Sequence, residues 1–156
     1  MMATAGLLQL CAVAAAAGML TPVARAEVAA DCAGVTVLGG TDYRDRICAV
    51  LTQLPAGDAT LIDVVYVAPA DGAGMRMPVN PEGGALTCGE APRGERFVTV
   101  RDHPACGLAA WVERYVAHEL GHRRWEALHP GEPYGPRWQA EEAYADGYAD
   151  GGGYRW

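Results

Sequence analysis

Ile47, Val50, Leu51 and Leu54 recur at helical spacing and predict a helix over residues 43–54. Thr41 and Asp42 stand before it as N-cap candidates, and Pro55 stops it. Residues 61–67 are short, apolar and β-branched, as a buried strand requires. Residues 69–92 are rich in Gly and Pro and read as a long loop with room for a hairpin. Residues 97–101 alternate apolar and polar side chains, the pattern of a half-buried or edge strand. The strongest helix runs from Leu108 to about Trp125. A Pro/Gly turn region over residues 129–136 separates it from a second helix over residues 139–149, and a glycine tail follows. These elements predict an α+β fold. A small antiparallel or mixed sheet packs on the 108–125 helix, and a C-terminal helix carries glutamates.

The N-terminus has a different character. Residues 7–20 are an apolar run of signal-peptide length, short for a bilayer span. Ala24-Arg25-Ala26 supplies a small-x-small cleavage site. Met1 to Gly6 carry no Lys or Arg, so an uncleaved N-terminal anchor is the alternative. Cys11, within the run, follows Leu8-Gln9-Leu10, a poor lipoprotein signal. The expected organisation is a signal peptide over 1–26 and a single exported domain over 27–156, secreted or periplasmic.

Charge narrows the partners. The chain has 156 residues and a formal net charge of -7, and all 12 basic residues are arginine. That balance argues against nucleic acid, and against a membrane surface beyond the signal segment. Beyond the signal, four cysteines remain: Cys32, Cys48, Cys88 and Cys106. In a small exported domain they favour two disulfides, and Cys32–Cys48 and Cys88–Cys106 each close a short local loop. The rival role is a thiolate zinc ligand.

The candidate chemistry lies in His118-Glu119-Leu120-Gly121-His122. Histidines four apart on a helix put both imidazoles on one face, one turn apart, where one tetrahedral ion accepts both. Glu119 is turned about 100° from His118, beside such an ion, and is placed to act as general base. This pattern arises by chance about 0.006 times in a chain of this composition, which makes two incidental surface histidines a poor explanation. Val112, Val116 and Leu120 line the opposite side and Trp111, Tyr115 and Trp125 join the histidine side, so the helix reads as buried.

A catalytic zinc centre needs a third protein ligand and an open position. Glu142 lies twenty residues after His122, and Asp146 follows on the same face. Ala143, Ala145 and Ala149 make their helix slim enough to approach the first closely. Glu142 is then the ligand, and Asp146 accepts the free N–H of a liganding histidine. Glu141 and His129 are the rival ligands. A solvated acidic helix face is the alternative for all these carboxylates.

His118-Glu-Leu-Gly-His122 followed by Glu142-Ala-Tyr-Ala-Asp146-Gly-Tyr-Ala149 resembles the HExxH…ExxADxxA pattern of gluzincin-type zinc metallopeptidases. The resemblance covers about the last 45 residues. It implies zinc held by His118, His122 and Glu142, with Glu119 as base and Asp146 orienting a histidine. The metzincin alternative places a histidine and a glycine where this chain has Leu128 and Trp125. Gluzincins often stabilise the oxyanion with a nearby His or Tyr. His129, Tyr134 and Tyr148 are the candidates, with packing as the alternative for the tyrosines. His103 reads as a turn residue. The strand at 97–101 could pair with an extended peptide. The expectation is an exported zinc metallopeptidase acting on a peptide or protein substrate. Its alternatives are a non-catalytic zinc-binding or interaction module and a hydrolase of a non-peptide amide.

Overall fold

The computed structural model describes residues 30–55, 57–69, 88–132 and 137–151. The signal segment, most of the long loop and Tyr134 lie outside the described residues.

The first element of the described residues is a hairpin absent from the sequence expectation, β1 (Ala30–Cys32) and β2 (Val35–Leu38). Its two-residue turn needs positive φ at both positions. Ala33 at 59° and Gly34 at 83° supply it, and Asp31 Oδ1 accepts from the Gly34 N–H at 3.0 Å. A 3-10 turn, Thr41–Tyr43, leads into α1 (Arg44–Gln53). Neither Thr41 nor Asp42 caps α1 through its side chain, contrary to the expected N-cap. The turn is set instead by Gly40, at φ 51°, where a Cβ would collide with Val67. Asp58–Leu61 forms another 3-10 turn, so the next strand, β3 (Val64–Ala68), begins three residues later than expected.

Two further strands follow, β4 (Gly89–Glu90) and β5 (Phe97–Arg101). The sheet is mixed, in the order β1-β2-β3-β5-β4. The pairs β2–β3 and β3–β5 are parallel, whereas β1–β2 and β4–β5 are antiparallel. The expectation of a half-buried or edge strand at 97–101 is corrected here. Val98, Thr99 and Val100 are all buried, and β4, drawn from the presumed loop, covers the outer side. Thr99 occupies the position that alternation assigns to solvent, which is why the pattern misled.

Two long helices complete the fold, α2 (Leu108–Leu128) and α3 (Trp138–Gly151). The result is α+β, with one mixed five-stranded sheet and three helices among the described residues. Register puts Val35, Val37, Val65, Val67, Val98 and Val100 on one face of the sheet. They join Ile47, Val50 and Leu51 of α1 and Leu108, Val112, Val116 and Leu120 of α2 in a single apolar core. Burying each such side chain contributes about 1.5–3 kcal/mol. Trp111 departs from the sequence reading, because it stands 55% exposed.

The disulfides are Cys32–Cys48, which ties β1 to α1, and Cys88–Cys106, which ties the start of β4 to the turn before α2. This is the pairing that short loop closure favours, and two disulfides fit an extracellular protein. No helix among the described residues is long and apolar enough to cross a membrane. His103 is a turn residue as expected: its Nδ1 accepts from the Ala105 N–H at 3.1 Å, ahead of α2. Arg46 and Glu113 form an ion pair that fastens α1 to α2. Arg123, 4% exposed, donates from α2 to the carbonyls of Ala91, Pro92 and Glu95. It holds the segment after β4 against the helix.

Candidate metal centre

The centre depends on how closely α2 and α3 pack. Gly121 has no Cβ, and one placed there would lie 2.7 Å from the Ala145 backbone Cα and 3.2 Å from Tyr148 Cβ. Ala145 and Ala149 are fully buried, whereas Ala143 is exposed and plays no part in the approach. So the glycine inside the motif, as much as the alanines opposite, lets α3 reach α2. Gly121→Ala is expected to push α3 off and separate Glu142 from the histidines. Overpacking of this kind costs about 1–3 kcal/mol, to be read by thermal unfolding.

Donor atoms of three side chains converge at this crossing. His118 Nε2 lies 3.2 Å from His122 Nε2. Glu142 Oε2 is 3.4 Å from His118 Nε2, and Glu142 Oε1 is 3.6 Å from His122 Nε2. The other ring nitrogens are anchored. His118 Nδ1 is 3.1 Å from Asp146 Oδ1, and His122 Nδ1 is 3.1 Å from Glu141 Oε1. An ionised carboxylate only accepts, so each Nδ1 carries the proton when these bonds form. In the neutral rings both Nε2 lone pairs then face one another beside the Glu142 carboxylate. Such an electron-rich convergence is stabilised by a cation or a proton placed within it.

The electrostatics agree. Burial alone would lower the His118 pKa, but its hydrogen bond to Glu142 and the charges of Glu119, Glu142 and Asp146 outweigh it, and the net shift is upward. The same hydrogen bond from His118 holds the Glu142 carboxyl below its usual value, against burial. Burial lowers His122, assisted by the neighbouring His118 charge and opposed by Glu142 and Glu141. Glu119 is buried, and desolvation pushes its carboxyl up to about 8; Glu142 and Glu90 push the same way while His118 and Arg123 oppose. Its carboxylate lies against β4, where a Cβ on Gly89 would collide with Oε1.

Other anticipated residues stand elsewhere. His129 caps the C-terminus of α2, its ring on Trp125 and its Nδ1 2.9 Å from the Trp125 carbonyl. It is seven residues past His122, about 10.5 Å along the axis, and does not join the donor triangle. Tyr148 is buried and donates its hydroxyl to Asp58 Oδ2 at 2.7 Å, so it serves packing rather than an oxyanion. Glu141, considered in sequence as a rival ligand or a solvated acid, is buried and anchors His122 instead. The signal was available: two histidines expected to be ligands need two acceptors, and Asp146 serves only one. Asp146 itself is shared with Arg114, whose Nη2 donates at 3.1 Å.

Comparison with protein-family models, with curated proteins and with solved structures finds no match to this chain.

Proposed function

We propose that this chain is an exported zinc-dependent metallopeptidase. The observation that carries the reading is the donor triangle of His118, His122 and Glu142, whose ligand atoms all lie within 4.8 Å of one another. Zinc bonds of about 2.0–2.1 Å in tetrahedral geometry place ligand atoms about 3.4 Å apart. The two Nε2 atoms, 3.2 Å apart, fit that requirement, and the Glu142 carboxylate stands beside both, with Oε2 3.4 Å from one and Oε1 3.6 Å from the other. Two imidazoles and one carboxylate suit zinc in chemistry as well as in spacing. Three protein ligands leave a position for water or substrate, which favours catalysis over a closed structural centre.

When bound, zinc supplies a Lewis acid that acidifies a coordinated water and polarises a carbonyl. His118, His122 and Glu142 would hold it, while Asp146 and Glu141 keep both imidazoles in the liganding tautomer. Glu119 would accept the water proton at its carboxylate and pass it to the leaving amine. For that role Glu119 must be ionised, and a cation held by His118, His122 and Glu142 would favour its charged form against the desolvation that raises it.

The peptide-pairing edge moves from β5 to β4, the outermost strand on that side among the described residues. Because Gly89 touches Glu119, a peptide added to β4 would run past the base. Export is supported by the two disulfides and by the apolar N-terminal run.

A peptide-library digest with the purified, disulfide-bonded protein tests the reading. Cleavage should vanish with a chelator and return with stoichiometric zinc. Stoichiometric zinc with no cleavage of any peptide would instead support a non-catalytic zinc module or a hydrolase of another amide.

A further inference from the structure

The segment between β4 and β5 makes contacts that the proposed chemistry does not use. Arg93 lies in it and reaches two places at once. Its Nη1 donates to the Glu132 carbonyl just past α2, and its Nη2 donates to Glu141 Oε2 at 2.9 Å. Glu141 is 4% exposed. Its other oxygen, Oε1, holds His122 Nδ1. A single guanidinium therefore links the 91–96 segment, the end of α2 and the start of α3, and ends on a histidine of the triangle. Arg123 grips the same segment from α2 through three carbonyls.

We propose that Arg93 is a positioning residue for the metal centre, acting through Glu141 to hold the tautomer and orientation of His122. A buried carboxylate with both oxygens engaged has one orientation, and the planar fork of arginine fixes it in a way a point charge does not. Removing the guanidinium leaves Glu141 Oε2 buried without this donor. Glu141 then turns, and the Nδ1–H of His122 loses its acceptor. The Nε2 lone pair no longer faces the triangle in every molecule. Arg96 is the contrast within the same segment. It pairs with exposed Asp63 and with the Thr60 carbonyl, away from the centre.

The proposal rests on the triangle being a zinc centre, so it is tested with two readouts, one of which needs no zinc. The first is zinc affinity by chelator competition, with zinc alone as the probe. Removing the hydrogen-bond partner of a liganding histidine costs about 10–100-fold, so Glu141→Ala is expected in that range and Arg93→Ala near its lower end. Because Arg93 acts through Glu141, the double variant should be no weaker than Glu141→Ala. Arg93→Lys should fall between wild type and Arg93→Ala, and it serves as the test if Arg93→Ala fails to fold. Arg96→Ala should match wild type. The second readout is the 15N spectrum of the histidines in zinc-free protein. Wild type should show His122 as the Nδ1–H tautomer, and the Arg93 variants a mixture. Wild-type affinity with an unchanged tautomer in the Arg93 variants, or additive losses in the double variant, would overturn the proposal. If wild-type protein bound no zinc, the proposed function would fail, while the tautomer measurement would still decide the role of Arg93.

Discussion

Glu119→Gln should abolish peptide hydrolysis while leaving zinc bound. The amide is nearly isosteric with the carboxyl, so the crowded place against Gly89 is kept. It has no basic oxygen able to take a proton and return it. General acid–base catalysis contributes about 10²–10⁴-fold, and a loss of that size in kcat is expected at unchanged zinc content. Glu119 is buried and carries a pKa raised to about 8 by desolvation. Replacing it by a neutral amide removes that desolvation cost, so the variant should unfold no earlier than wild type. Steady-state kinetics, metal analysis and a melting curve on one preparation suffice. Retained hydrolysis would remove Glu119 from the mechanism.

His122→Ala should have the opposite signature, with zinc itself lost. One of the three donors disappears, and Glu141 loses its imidazole partner at 3.1 Å. The loss of affinity should exceed the 10–100-fold that follows removal of a mere hydrogen-bond partner. His129→Ala is the matched control, because that ring packs on Trp125 at the end of α2. It should bind zinc as wild type does. Chelator competition on the two variants separates a ligand from a neighbouring histidine.

The parts of the fold that the sequence announced are those where side-chain period and local chemistry agree. Ile47, Val50 and Leu51 marked α1, and Val112, Val116 and Leu120 marked the buried side of α2. The disulfide pairing followed from loop length alone. The hairpin of β1 and β2 escaped notice because three- and four-residue strands are too short to show a period, although Val35 and Val37 alternate and Ala33-Gly34 turns. β4 has two residues and no hydrophobic signature, so β5 was misjudged as half-buried or edge.

The centre shows the same division. His118, His122 and Glu142 were legible because ligand chemistry restricts both residue type and spacing. Asp146 was legible from its place one turn beyond Glu142. Arg93 was not, since a contact between residues 48 apart leaves no local trace, and Glu141 was named as a rival ligand rather than as the partner of His122. Gly121 drew no reading beyond its place in the motif, yet its missing Cβ lets α3 come close to α2. His129 and Tyr148 were plausible by type alone, and geometry gives each another partner.

The most direct test is a crystal of the zinc-loaded protein with anomalous data collected at the zinc edge. The account predicts one strong peak, about 2.0–2.2 Å from His118 Nε2, His122 Nε2 and a Glu142 oxygen, with a fourth position open to solvent. A peak held by other residues, or no peak at the crossing of α2 and α3 in protein saturated with zinc, would contradict it.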